Sequence, residues 1–162
     1  MRTAERFTMA SEAVAYARQG WAVFPLAGKV PAIKGARGCL DATSDVDEVA
    51  ELWRPRPDAG IGMACGSVSG LGVLDIDVKA PALRTGEDAT IDGESALLEL
   101  EMTYGALPPT LMAVTGTGGR HLFWQMPDGV DVRNGQGLRT PTGIRSGIDV
   151  RGTGGYVVLP PS

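Results

Sequence analysis

Apolar residues recur at helical spacing over residues 8–19, where Ala13, Val14, Tyr16 and Ala17 gather ahead of Gly20, a residue suited to ending a helix. A first helix is expected there. Trp21-Ala22-Val23-Phe24 follows as an unbroken apolar run, read as a buried strand that Pro25 halts. Residues 26–39 are punctuated by glycine and proline and read as a loop carrying Lys29, Lys34 and Arg37. Ser44, with Asp47 three positions on, resembles a capping box ahead of the apolar face Val46, Val49, Leu52 and Trp53, so a second helix should run to about Arg54, where Pro55 stops it. Short strands are expected at 61–65 and 71–78, split by Gly66-Ser67-Val68-Ser69-Gly70. Residues 80–93 read as an exposed loop, followed by a helix with Ala96, Leu97, Leu100 and Tyr104 turned inward. Pro108-Pro109 closes that region, and four further strands are expected at about 111–115, 121–126, 147–151 and 155–159, separated by glycine-rich turns. No internal repeat interrupts this order.

Composition narrows the picture. The 162 residues, at 16.9 kDa, amount to about one average domain, and 43% apolar with 21% charged residues can bury a core. Twenty-three glycines imply many tight turns or close backbone approaches to a ligand. No apolar stretch approaches the ~18 residues that would cross a bilayer, and Met1 to Ala10 lacks the apolar core of a secretion signal. No membrane partner is therefore expected. Cys39 and Cys65 match no zinc spacing and form no disulfide framework, which points to a reducing cytoplasm. The end at Pro160-Pro161-Ser162, directly after an apolar strand, reads as the front piece of a longer polypeptide.

The net charge of −4 argues against a general nucleic-acid coat, because non-specific binding to phosphates runs on Lys and Arg. Its distribution adds more. Residues 113–162 carry five arginines (Arg120, Arg133, Arg139, Arg145, Arg151) against Asp128, Asp131 and Asp149, and arginine is suited to forked contacts with phosphate oxygens. A solvated loop surface would have the same composition.

Three short segments carry candidate chemistry. In Leu74-Asp75-Ile76-Asp77-Val78, strand alternation puts both carboxylates on one face, ~6.6 Å apart at Cα, with the apolar residues on the other. Aspartate is depleted in strands. Such a pair therefore needs either solvent on that face or a cation, since two unit charges about 4 Å apart repel by roughly 4 kcal/mol at an effective dielectric near 20. The second segment, Thr115-Gly116-Thr117-Gly118-Gly119-Arg120-His121, lies between two strands; its backbone N–H groups could meet a phosphate, or it could be an ordinary glycine hairpin. A Walker loop and a dinucleotide fingerprint are both excluded, because each needs a strand followed by a helix and neither glycine spacing fits. His121 is the only histidine. The third, Gly147-Ile148-Asp149-Val150-Arg151-Gly152, sets Asp149 and Arg151 on one strand face, an arrangement that also suits a surface ion pair worth ~0–1 kcal/mol. Taken together, three carboxylates, one histidine and several arginines on the polar faces of apolar strands are the set required by a two-metal phosphoryl-transfer centre.

Asp-x-Asp, then a small residue before x-His in Gly119-Arg120-His121, then apolar-Asp in Ile148-Asp149, resembles the ordered signature of the archaeo-eukaryotic primase-polymerase superfamily. More specifically, the chain resembles the N-terminal domain of bifunctional DNA primase/polymerases of plasmids, phages and integrated elements. The likeness runs through Ala15-Tyr16-Ala17, Trp21 to Pro25, Gly28-Lys29-Val30-Pro31, Asp41-Ala42-Thr43, Thr115 to Phe123 and Gly147 to Ser162.

The resemblance implies an α/β (α+β) fold over residues 1–162, an N-terminal α/β unit packed on a unit similar to an RNA-recognition motif, with the catalytic cleft between them. It implies that Asp75, Asp77 and Asp149 bind two divalent ions, Mg²⁺ or Mn²⁺, and that His121 contacts the phosphates of the incoming nucleotide. Gly119 stands where many members of the wider superfamily have a serine, which leaves that hydrogen bond to backbone N–H groups. Arg120 and Arg151 are nominated for phosphate contact from charge and proximity to the motifs. The implied activity is template-dependent nucleotidyl transfer, as a DNA primase, a DNA polymerase or both. Its partners would be nucleoside triphosphates, a single-stranded DNA template with its primer, and a fused or associated helicase. A metal-dependent phosphohydrolase or nuclease could use the same carboxylates, and a non-catalytic nucleic-acid-binding module is the remaining alternative.

Overall fold

The structure is a computed structural model that describes residues 8–33, 35, 37–78 and 90–162. Lys34 and residues 80–89 of the expected loops lie outside the described residues. The first helix, α1 (Met9–Ala17), starts at a reciprocal capping box: the Ser11 N–H donates to Thr8 Oγ1 and the Thr8 N–H to Ser11 Oγ, both at 3.1 Å. Its buried residues Ala13 and Ala17 share a core with Val49 and Trp53 of α2 (Val46–Trp53), whose indole N–H donates to the carbonyl of Ala59 at 2.9 Å. The cap of α2 is Asp45, whose Oδ1 accepts from the N–H groups of Asp47 and Glu48. Ser44 is thus one position early, because Asp45 offers the same short oxygen in better register with the first turn.

Four strands form a first antiparallel sheet in the order β10-β3-β1-β2, namely β1 (Val23–Ala27), β2 (Val30–Pro31), β3 (Gly60–Ala64) and β10 (Tyr156–Leu159). Contrary to expectation, β1 runs through Pro25. In the β1–β3 register Ala22, Phe24 and Leu26 face β3, with the Ala64 N–H donating to the Ala22 carbonyl, so the nitrogen of Pro25 points to the other flank. On that side only its carbonyl is used, by the N–H of Ala32 at 2.9 Å, and the missing donor costs nothing. Gly62 lies under Phe24: a Cβ there would meet the ring at 2.8 Å.

The second sheet is also antiparallel, in the order β6-β7-β4-β9: β4 (Leu71–Ile76), β6 (Leu111–Val114), β7 (Arg120–Gln125) and β9 (Ile148–Arg151). Thr90–Ile91 (β5), within the stretch expected as loop, pairs in parallel with Arg145–Ser146 (β8). Alternation along β4 divides the second sheet cleanly. Val73 and, on β7, Phe123 face Ile61, Met63, Cys65 and Val157 in the larger core, whereas Ile76, Leu122 and Ile148 pack with Ala96 and Leu97 of α3 (Gly93–Tyr104). Leu100 joins that smaller core, but Tyr104, expected inward, is 77% exposed, one turn past the part of α3 that meets the sheet. The result is an α+β domain with three α-helices and two antiparallel four-stranded sheets among the described residues. No helix among them is long and apolar enough to cross a membrane.

Candidate active site

Strand register assembles the site. Asp75 on β4 is paired directly with His121 of β7 on one side and with Asp149 of β9 on the other, so residues 46 and 74 positions away meet it in a single row across three strands. The neighbouring row on the same face is Phe123, Val73 and Arg151. Charge therefore begins where the apolar seam with the first sheet ends. The Nη2 of Arg151 donates to Oδ2 of Asp75 at 2.9 Å and to Oδ2 of Asp149 at 2.8 Å, and its Nε lies 3.3 Å from the same Asp75 oxygen. His121 Nε2 lies 3.4 Å from Asp75 Oδ1, and the N–H of Gly137 donates to Asp149 Oδ1 at 2.8 Å. Each of the four carboxylate oxygens thus has a donor beside it.

These groups sit at intermediate depth, with the side chains of Asp75, Asp149 and Arg151 all between 20% and 25% exposed. Burial pushes the Asp75 carboxyl up, but hydrogen bonds from His121 and Arg151, together with their charges, outweigh it and hold its pKa below the ordinary carboxylate value. Asp75 stays ionised. His121 is buried, packs edge-on to the Phe123 ring, and its Nδ1 has no hydrogen-bond partner among the described residues. A polar atom left unpaired at such depth is costly unless something completes it.

Asp77 stands apart from the row. The strand ends at Ile76, and the Asp77 backbone is instead held at a junction of three segments: its N–H donates to the Gly147 carbonyl and its carbonyl accepts from the Gly93 N–H, both at 2.8 Å. Only glycine fits at both neighbours, since a Cβ on Gly147 would stand 2.8 Å from the Asp77 carbonyl oxygen and one on Gly93 2.7 Å from Ile76 Cγ2. The Asp77 side chain forms no hydrogen bond or ion pair with the described residues, and no three His, Cys, Asp or Glu side chains among them converge as a ready metal cage. The structure brings together Asp75, His121, Asp149 and Arg151, and leaves Asp77 one step beyond.

Gly119 and Arg120 have other uses here. The 115–119 turn is a tight hairpin, with the Thr115 N–H donating to the Gly119 carbonyl at 2.8 Å and the Gly118 N–H to the Thr115 carbonyl at 2.9 Å. A Cβ on Gly119 would lie 2.5 Å from the carbonyl oxygen of Ile76, so a serine at this position would have to push β4 aside. Arg120 alternates with His121 and therefore points to the opposite face, where its fork grips Glu94 at the start of α3, Nε to Oε1 at 2.7 Å and Nη2 to Oε2. Glu94, Gly137 and the Gly93–Gly147 contact carry no motif in the sequence. Gly137 lies in a glycine-rich turn, but nothing local announces that its N–H would reach Asp149.

Residues 13–162 match the family model described as bifunctional DNA primase/polymerase, N-terminal. The chain belongs to this family. None of the curated proteins compared with it matches. The match spans both sheets, α2, α3 and the second half of α1, so the Asp75–His121–Asp149 row is internal to this primase/polymerase domain. The family is one of primase/polymerase-type nucleotidyltransferases.

Proposed function

We propose that this primase/polymerase domain is a template-dependent nucleotidyltransferase that joins the α-phosphate of a nucleoside triphosphate to a 3′-hydroxyl, in replication of a plasmid, phage or integrated element. The observation that carries the reading is the register of Asp75 with both His121 and Asp149, since two carboxylates and an imidazole on one row have no structural need of one another. Arg151 offsets only one of the two carboxylate charges, and their hard oxygens suit Mg²⁺ or Mn²⁺. Asp75 and Asp149 would hold such ions, with Asp77 at the end of the same strand completing the set. Bound there, two divalent ions would supply Lewis-acid activation of the attacking hydroxyl and stabilisation of the leaving pyrophosphate.

The remaining work falls to the chain itself. Its buried position and rigid strand fix the His121 imidazole, the candidate for contact with the phosphates of the incoming nucleotide. Arg151, on the same face, is the second candidate for phosphate contact. Arg120 lies on the opposite face and fastens the start of β7 to α3. The row lies on the face of the second sheet that packs toward the first, so the catalytic cleft is read between the two sheets, with the second sheet and α3 as the unit similar to an RNA-recognition motif. Primer extension on a labelled primer-template, with each nucleotide type and with Mg²⁺ or Mn²⁺, tests the proposal. Template-dependent extension with matching pyrophosphate release is expected; triphosphate or DNA hydrolysis without extension would move the domain to the phosphohydrolases.

A further inference from the structure

Arg151 Nη2 bridges the two carboxylates, 2.9 Å from Asp75 Oδ2 and 2.8 Å from Asp149 Oδ2, with Nε 3.3 Å from the same Asp75 oxygen, while the other oxygen of each carboxylate faces His121 or the Gly137 N–H. The oxygen of each carboxylate that faces the other strand, Asp75 Oδ2 and Asp149 Oδ2, is already taken by the guanidinium. A guanidinium in that place does electrostatically what a divalent cation would do: it lies between two anions on adjacent strands and cancels their repulsion. The two cations therefore compete for the same pair of oxygens. Arg151 cannot withdraw far, because it is on β9 only two residues from Asp149 and in register with Val73, but its long side chain can swing off the row without moving the strand.

We infer that Arg151 is a built-in counter-ion of the Asp75–Asp149 pair, which stabilises the metal-free domain and must be displaced for a divalent ion to bind. The inference rests on the reading that these two aspartates are metal ligands. It has two opposite consequences. In the metal-free protein the arginine stabilises, because removing it leaves two neighbouring carboxylates without a cation; in metal binding it opposes, because its displacement is subtracted from the ion's affinity. A residue that merely shaped the fold would weaken both.

The test is Mn²⁺ binding, without nucleotide or DNA, by electron paramagnetic resonance and calorimetry, alongside metal-free melting temperatures. Arg151→Gln should bind Mn²⁺ about tenfold more tightly than the natural domain, the equivalent of about 1.4 kcal/mol, while melting at a lower temperature without metal and gaining more from added Mn²⁺. Arg151→Lys, which keeps the charge but not the fork, should fall between the two and serves if the glutamine variant does not fold. Unchanged or weaker Mn²⁺ affinity in both variants, with binding still abolished by Asp149→Asn, would overturn the counter-ion role and leave the metal assignment standing. Mn²⁺ affinity that is indifferent to Asp149→Asn would remove the metal assignment itself and the inference with it.

Discussion

The two faces of the second sheet each hold one arginine next to carboxylate, and they differ in what the arginine holds. On the α3 face Arg120 grips one partner, Glu94, and the pair is fairly open, with side chains 31% and 42% exposed. On the opposite face Arg151 is shared between Asp75 and Asp149, which lie directly across from each other on neighbouring strands. One arrangement is an ordinary clasp between a strand and a helix. The other places more negative charge than the single guanidinium neutralises, and that surplus is what a structural pair has no reason to keep and a cation-dependent site requires. The two arginines thus differ in the ratio of carboxylates to their cation, one to one on the α3 face and two to one on the other.

The comparison breaks most sharply under neutralisation of one carboxylate on each face. Asp149→Asn keeps an oxygen for the Gly137 N–H but removes the charge, so nucleotide incorporation should fall by at least about 100-fold, as expected for loss of a metal-coordinating carboxylate. Mn²⁺ binding should fall with it while circular dichroism stays native. Normal incorporation by this variant would sink the metal assignment.

Next in size is Gly119→Ser, which adds a Cβ 2.5 Å from the backbone of Ile76 and should cost about 1–3 kcal/mol of stability by overpacking. Chemical denaturation measures it directly. A serine variant as stable as the natural domain would show that β4 yields easily at this point, and would reopen the turn to a side chain that binds phosphate.

His121→Ala probes the end of the row that lies on β7. Loss of a hydrogen bond to charged phosphate should weaken nucleotide binding by about tenfold, with Mn²⁺ affinity held within about twofold, because carboxylate oxygens and not imidazole suit these ions. A large loss of Mn²⁺ affinity in a titration would instead make the histidine part of the metal site.

The smallest effect belongs to the open face. Glu94→Gln breaks the clasp on Arg120 and should cost no more than about 1 kcal/mol, the usual worth of an exposed pair. Incorporation should stay within about twofold. A loss comparable to that of Asp149→Asn would mean that the two faces are not functionally distinct.

Much of this site was legible along the chain. Alternation alone separates Arg120 from His121 and joins Arg151 to Asp149, because neighbours in a strand point to opposite faces and residues two apart share one. The apolar runs located β4, β7, β9 and β10 to within a residue or two, and the ordered signature named three of the four residues that meet, Asp75, His121 and Asp149. Asp77 was harder: alternation has meaning only while the strand is paired, and pairing stops at Ile76, where Gly93 and Gly147 bring two other backbones against it. Pro25 misled for a related reason, since whether a missing N–H matters depends on which flank of the strand it faces.

By itself the sequence determined the three helices and the longer strands, which residues share a face within them, and which side chains could do phosphoryl-transfer chemistry, because all of these depend on spacing within a few residues; the two-residue strands β2, β5 and β8 left no such pattern. Only the tertiary structure decided that Asp75 stands opposite both His121 and Asp149, that one guanidinium bridges the carboxylates, and that Arg120 is committed to Glu94. Register between strands far apart in the chain is set by packing both faces of the sheet at once, against the first sheet on one side and α3 on the other, and no local pattern holds that information.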